Sequence, residues 1–153
     1  LVSYNTLKDK IKISAYGKYL RRLVKELGME EKITFLGKLS AEEMKQQYLK
    51  CNTFVCASSL ENSPNSVGEA MLLGVPVVAP YTGGIPSMVE HKKEGLLFEK
   101  GNVKALAEAI MCTWESYATV KEITKNAAIR ARKTHNAEDN YRRLLEIYDS
   151  IVK

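Results

Sequence analysis

Short apolar runs and longer helical stripes alternate along this chain. Runs of β-favouring apolar residues predict strands at residues 33–36, 53–56, 75–79 and 96–98. Apolar residues at helical spacing predict helices at residues 10–27, 40–50, 67–73 and 85–90, and over most of the chain beyond residue 103. Strands that alternate with helices indicate an α/β fold, in which helices cover both faces of a parallel sheet.

The predicted topology indicates where a ligand would bind. In an open parallel sheet, ligands bind beyond the carboxyl ends of the strands. Three loops follow predicted strands at that edge: Gly37-Lys38-Leu39, residues 57–65 and residues 81–84. The length of 153 residues is typical of one domain. We therefore expect a single domain whose binding site is built from these loops.

The second of these loops leads from one glutamate, Glu61, to another, Glu69, with Pro64 between them. Because Pro64 lacks an N–H and restricts the residue before it, one helix through both glutamates is not expected. Glu61 is predicted to lie in the loop, and Glu69 in the first turn of the helix that follows. Both carboxylates would then face one crevice, an arrangement that suits a ligand with hydroxyl and phosphate groups.

Each glutamate also has a purely structural interpretation. The run from Ser66 to Glu69 fits a capping box, in which Glu69 would accept from the Ser66 N–H, and Glu61 could be a solvated loop carboxylate. Against this, Gly68 would let a ligand approach the backbone, and the helix N-terminus offers N–H groups and a positive dipole end to a phosphate. The loop is also rich in small polar residues: Ser59, Asn62, Ser63, Asn65 and Ser66.

Composition and charge narrow the class of ligand. The net charge of +5 favours anionic partners, although solvated helix faces account for most of the basic residues. No nucleic-acid partner is expected, because the chain lacks a reading helix or aromatic residues interleaved on a sheet. His91 and His135 are predicted to be isolated and exposed, so no metal site is expected. The three cysteines form no C-x-x-C pair, which favours reduced thiols in a cytoplasmic protein.

Several short motifs occur in one order along the chain. They are the E-x7-E pair Glu61 and Glu69, the run from Glu69 to Val78, and Gly83-Gly84-Ile85-Pro86, with Phe35-Leu36-Gly37 upstream and residues 94–98 downstream. Together they resemble the C-terminal nucleotide-sugar-binding domain of the retaining glycosyltransferases of family GT4. The resemblance implies a GT-B fold, whose domains are Rossmann-like.

The resemblance also implies a role for each matching residue. Glu61 would be the catalytic residue that faces the donor sugar, and Glu69 would bind the ribose hydroxyls. The rest of the donor would be contacted by Asn62, Ser63 and Asn65 at the sugar ring, by the N–H groups of Ser66, Val67 and Gly68 at the diphosphate, and by Gly37, Lys38 and Leu39 at the nucleobase. Many relatives have a glycine–phenylalanine segment where this chain reads Asn62-Ser63-Pro64-Asn65-Ser66, which leaves the donor sugar open.

The implied activity is transfer of a sugar from a nucleotide-diphosphate sugar to an acceptor, with retention and without a metal or other cofactor. Surface-glycan synthesis in the cytoplasm is expected, with the inner face of the cell membrane or a lipid-linked acceptor as further partners. The alternatives are a non-catalytic nucleotide-sugar-binding module and a GT-B-like nucleotide-sugar epimerase. Labelled-donor product analysis would separate the three.

Two expectations concern the ends of the chain. The family's basic pair for the diphosphate, the first strands of this domain and the N-terminal acceptor-binding domain are expected to lie outside this chain, so weak donor binding without turnover is expected of it alone. The apolar stripe of the last helix, with Tyr141, Leu144, Leu145, Tyr148 and Ile151, is expected to pack in the core. A lipid contact is one alternative for that stripe, and the resemblance implies packing across to the N-terminal domain as another.

Overall fold

The computed structural model describes residues 15–152, which belong to two compact units, residues 1–44 and 45–153. In the first unit, helix α1 (Ala15–Glu26) ends just before Gly28, whose φ is +62°. The helix predicted over residues 10–27 is thus confirmed from Ala15, while residues 10–14 lie outside the described residues. The strand predicted at residues 33–36 is reduced to one bridging residue, Phe35.

The predicted capping box at the start of helix α2 (Ala41–Lys50) is confirmed. The Ser40 N–H donates to Glu43 Oε2 at 2.8 Å, and the Glu43 N–H donates to Ser40 Oγ at 3.4 Å. These reciprocal bonds satisfy two of the N–H groups that the start of a helix leaves without intrahelical partners. Ser40 Oγ also donates to Glu43 Oε2 at 2.7 Å. The backbone and side-chain hydrogen bonds from Ser40 favour the charged form of the Glu43 carboxyl and hold its pKa below its usual range. Helix α2 carries the chain from the first unit into the second.

The second unit contains a parallel sheet of three strands, in the order β1 (Phe54–Val55), β2 (Val77–Pro80) and β3 (Leu96–Phe98). Phe54 is paired with Val77, and Val78 with Leu96. All three strands were predicted from their apolar runs. Their parallel pairing confirms the α/β fold.

Side chains of β2 alternate between two apolar cores, one on each face of the sheet. Val77 and Ala79 pack with helices α3 (Asn65–Leu72) and α6 (Tyr117–Thr134). Val78 packs on the opposite face, against helix α5 (Val103–Glu115). Successive residues of a strand point to opposite faces of the sheet. Because an apolar core covers each face, every residue of β2 is buried, as expected of a central parallel strand.

The remaining helices differ from their predictions. Helix α4 (Ile85–Met88) is shorter than residues 85–90, because Val89 already has extended backbone angles. Helix α7 (Ala137–Ile151) has no buried residue, and Tyr148 and Ile151 are 57% and 72% exposed. The expectation that its apolar stripe packs in the core is therefore wrong. None of the helices in residues 15–152 has the length and apolar character needed to cross a bilayer.

Candidate functional site

The loops that follow β1 and β2 lie in direct backbone contact. A Cβ atom added to Gly83 would lie 1.4 Å from the carbonyl oxygen of Glu61, and one added to Gly84 would lie 1.9 Å from that of Asn62. Gly83 also has a φ of +52°, which favours glycine. The Gly83-Gly84 pair therefore seats the segment that carries Glu61, at the edge of the sheet predicted for a ligand.

The segment around Glu61 breaks at Pro64, as predicted. Pro64 has extended angles (φ −69°, ψ 117°) and is the residue from which helix α3 starts. Glu61 itself lies in the loop and is half-buried, whereas Asn62, Ser63 and Asn65 are exposed. Ser63 Oγ lies 3.3 Å from Met88 Sδ, and Thr82 Oγ1 donates to the Ser59 carbonyl at 3.3 Å. The polar side chains predicted to meet a sugar are thus on the surface of this edge.

Glu69 is placed differently from the prediction in one respect. Since α3 begins at Asn65, Glu69 is in the second turn of the helix and not in the first. The capping-box interpretation of Glu69 is wrong, because the N-cap of α3 is Pro64 and Ser66 already lies inside the helix. Instead, Glu69 Oε2 accepts from the hydroxyl of Tyr48 at 3.2 Å. The Glu69 side chain is exposed and therefore accessible to a ligand.

Tyr48 is a site residue that the sequence did not indicate. It lies on helix α2, is only 5% exposed, and also donates to the carbonyl oxygen of Ser66 at 3.3 Å. Burial raises the pKa of Tyr48 to about 12, with further contributions from the charge of Glu69 and the hydrogen bond to it. No local pattern links Tyr48 to Glu69, because the contact spans 21 residues of sequence.

The N–H groups at the start of α3 are only partly available. The Val67 N–H donates to the Pro64 carbonyl at 3.1 Å, and the Val67 side chain is fully buried. The prediction that the Val67 N–H serves a diphosphate is therefore corrected. Asn65 and Ser66 hold the first two positions of the helix, where N–H groups have no intrahelical acceptor. The amide-rich tip of α3 thus includes these two residues, and the role of the Gly68 N–H toward a diphosphate stays a prediction.

The open side of Gly68 is filled by the protein itself. A Cβ atom at Gly68 would lie 2.4 Å from Nε2 of His135, so the imidazole packs where a side chain would otherwise be. The other ring nitrogen, Nδ1, lies 3.2 Å from the Ala131 carbonyl and 3.0 Å from Thr134 Oγ1. Gly68 therefore accommodates His135 and not a ligand on this side. His135 is exposed, as predicted, but it is not isolated.

His91 is not isolated either. Its Nδ1 accepts from the Leu97 N–H at 2.9 Å, and its ring is tilted against that of Tyr81 with the centroids 5.9 Å apart. The pKa of His91 is lowered, first by burial and then by the charge of Lys92. Within residues 15–152, His, Cys, Asp and Glu side chains form no group of three that could hold a metal ion.

An ion pair between a buried carboxylate and a partly exposed arginine supports the segment that follows Gly83-Gly84. Glu94 is 6% exposed, and its Oε2 lies 3.1 Å from Nη1 of Arg130 and accepts from the Glu90 N–H at 2.9 Å. Nη2 of Arg130 also donates to the carbonyl of Ser87, on α4. The pair therefore ties helix α6 to the segment that follows Gly83-Gly84.

The predicted nucleobase loop belongs to the other compact unit. Gly37 has a φ of +70°, Lys38 is exposed and Leu39 is half-buried. The left-handed conformation of Gly37 explains the glycine at this position. The roles of Gly37, Lys38 and Leu39 toward a nucleobase remain predictions.

Comparison with known proteins identifies the family. A family model described as "Glycosyl transferases group 1" matches residues 4–130. The chain belongs to this family. The resemblance to glycosyltransferases noted in the sequence is thereby confirmed, and residues 4–130 of this group 1 member include the loops that carry Glu61, Glu69 and Gly83-Gly84.

Relatives of this group 1 chain are longer proteins. It is 27% identical over 139 residues to the amylovoran biosynthesis glycosyltransferase AmsK of Erwinia amylovora, covering 87% of this chain and 34% of AmsK. It is 29% identical over 102 residues to the GDP-mannose-dependent alpha-(1-6)-phosphatidylinositol monomannoside mannosyltransferase of Mycobacterium tuberculosis, covering 62% of this chain and 26% of that protein. The chain thus spans about a third or less of the length of these relatives.

A solved structure shares the fold of this chain. HepE of Anabaena, crystallised in complex with UDP, superposes with a TM-score of 0.83 and is 29% identical, over 88% of this chain and 37% of HepE. HepE was also crystallised with UDP-glucose. The parallel α/β fold of this chain is therefore that of a segment of larger glycosyltransferases.

Proposed function

We propose that this chain is the donor-binding part of a retaining glycosyltransferase of the GT4 type. The observation that carries the proposal is the state of Glu69. Its carboxylate is exposed and makes no capping bond, and one of its oxygens accepts from the buried Tyr48 hydroxyl. An accessible carboxylate held in this way beside the first turn of a helix can accept hydrogen bonds from the ribose hydroxyls of a nucleotide.

The remaining groups of the site would each bind a different part of the donor. The N–H groups of Asn65 and Ser66, with the positive end of the α3 dipole, would bind the diphosphate. As the bond to the sugar breaks, negative charge develops on the leaving diphosphate, and fixed N–H donors stabilise it without reorganising. Glu61 would face the sugar, seated by Gly83 and Gly84, with Asn62, Ser63 and Asn65 at its hydroxyls. The proposed reaction uses no metal or other cofactor.

The relatives support the proposed substrate classes. HepE binds UDP and UDP-glucose, which supports a nucleotide sugar as donor. The names of AmsK and of the mannosyltransferase support a glycan or a lipid-linked acceptor. We propose surface-glycan assembly in the cytoplasm, at the inner face of the membrane. Because this chain spans about a third of AmsK, the acceptor would bind to a part of the enzyme that this chain does not supply.

A thermal-shift screen of the chain against UDP, GDP and ADP and their hexose conjugates tests the proposed donor class. The proposal expects stabilisation by ligands that share one base, because a ligand that binds only the folded state raises the melting temperature. Product analysis with a labelled donor, in the longer protein, tests the reaction. Transfer with retention supports the proposal, whereas an altered but untransferred sugar indicates an epimerase, and an unchanged donor indicates a binding module.

A further inference from the structure

The hydroxyl of Tyr48 contacts two parts of the proposed site at once. It lies 3.2 Å from Glu69 Oε2 and 3.3 Å from the carbonyl oxygen of Ser66. The two acceptors are one turn apart on α3, at the residues proposed to bind the ribose and the diphosphate. A side chain from another helix, α2, therefore holds both at the same point.

The chemistry of these contacts fixes the direction of the proton. A carboxylate and a carbonyl oxygen can only accept, so the phenol is the donor, and its single proton is shared between the two acceptors. A hydrogen bond to an ionised group is stronger than one to a neutral group, which favours donation to Glu69 over donation to Ser66. The raised pKa of Tyr48, about 12, keeps the phenol protonated at neutral pH. Glu69 Oε2 is thus occupied, and Oε1 is left for another donor.

Burial alone does not explain the bond to Glu69. The Tyr48 ring packs edge-on against Phe54, with the ring centroids 5.5 Å apart, and the Ser66 carbonyl alone would satisfy the buried hydroxyl. Ordering an exposed and flexible glutamate side chain costs conformational entropy. A carboxylate held in one orientation binds a ligand in one defined geometry.

We propose that Tyr48 is a positioning residue of the donor site, which orients the Glu69 carboxylate so that Oε1 accepts from the ribose hydroxyls of a nucleoside diphosphate. This inference rests on the proposed function, because it needs Glu69 to contact ribose. It predicts that Tyr48 influences recognition of ribose specifically, without touching the nucleotide itself.

The test uses Tyr48→Phe, which removes the hydroxyl and keeps the ring against Phe54. Affinities for UDP, GDP and ADP are measured by calorimetry beside those for the matching 2′,3′-dideoxynucleoside diphosphates. For the nucleotide that the chain binds, the substitution should weaken ribonucleotide binding about tenfold, as expected for loss of a hydrogen bond to a charged group, and dideoxynucleotide binding less than twofold. Tyr148→Phe, on the exposed face of α7, is the matched control and should change neither.

The ratio of the two affinities is taken on one protein preparation, so that partial unfolding cancels. If Tyr48→Phe does not fold, Tyr48→Met removes the same hydroxyl and is measured in the same way. The Glu69→Ala background supplies a second test, in which removal of the Tyr48 hydroxyl should leave the ratio unchanged. An equal loss for both nucleotides, or no loss, overturns the inference about Tyr48. Failure of the wild-type chain to bind any of the nucleotides overturns the proposed function instead.

Discussion

The carbonyl oxygen of Glu61 occupies the position that a side chain on Gly83 would need. An added Cβ atom there would come within 1.4 Å of that oxygen. Two loops from different strands thus meet backbone to backbone, and the location of Glu61 depends on two residues that carry no side chain. Substitutions at these glycines should affect the proposed site without removing any functional group.

Gly84→Ala tests this dependence most cleanly. Its φ of −83° suits any residue, so the effect would come from contact with the Asn62 carbonyl alone, 1.9 Å from the added Cβ atom. We expect a loss of about 2 kcal/mol of unfolding free energy and at least a tenfold weaker affinity for the donor. Gly101→Ala is the control, because Gly101 has a φ of +82° and open space around it. It should lose about 1 kcal/mol of stability and retain the affinity for the donor.

The contact between Gly68 and His135 predicts a non-additive pair of substitutions. Gly68→Ala alone places a methyl group 2.4 Å from the imidazole and should destabilise the protein by about 1–3 kcal/mol. In the His135→Ala background the ring is gone, and the same methyl group should cost much less. Chemical denaturation of the two single variants and the double variant measures this coupling. Additive free energies would show that the two residues do not touch.

The ion pair of Glu94 and Arg130 predicts that losing the cation alone costs more stability than losing both charges. Arg130→Met leaves the buried Glu94 carboxylate without its cation, and should cost about 3 kcal/mol of unfolding free energy. Adding Glu94→Gln removes the stranded charge and should recover part of the loss. Equilibrium denaturation in urea provides both values. If Arg130→Met proves neutral, the ion pair does not stabilise the tie between α6 and α4.

The high pKa of Tyr48 predicts a loss of stability at alkaline pH. The group titrates near its ordinary value of 10 in the unfolded chain and at about 12 in the folded one. Between these values the folded state binds more protons than the unfolded state, so the unfolding free energy falls as the pH rises from 10 to 12. The difference between wild type and Tyr48→Phe over this range should be on the order of 2 kcal/mol. Parallel curves for the two proteins would contradict the assigned environment of Tyr48.

Local sequence patterns correctly predicted the structural features that depend on neighbouring residues. The alternation of strands and helices, the capping box of Ser40 and Glu43, and the break at Pro64 all depend on residues within a few positions of one another. The start of α3 shows the limit of such reasoning. Ser66 and Glu69 have capping-box spacing, but the helix begins at Asn65, one residue before Ser66, and Glu69 faces Tyr48 instead.

Contacts between distant parts of the chain could not be predicted in this way. The bonds of Tyr48 to Glu69 and of Arg130 to Glu94 join distant parts of the chain. No sequence pattern near Tyr48 or Arg130 indicates its partner. The prediction that the apolar stripe of α7 packs in the core is wrong for a related reason. Its spacing predicts an amphipathic helix correctly, but periodicity does not state what the apolar face contacts, and in the structure Ile151 is 72% exposed.

The most direct test of the account is calorimetric titration of the wild-type chain and of Glu69→Ala with UDP, GDP and ADP. Glu146→Ala, an exposed glutamate on α7, is the matched control. The wild-type chain and the control should bind at least one of these nucleotides equally well, and Glu69→Ala should bind it at least tenfold more weakly. An affinity that Glu69→Ala leaves unchanged would contradict the assignment of this carboxylate to the nucleotide.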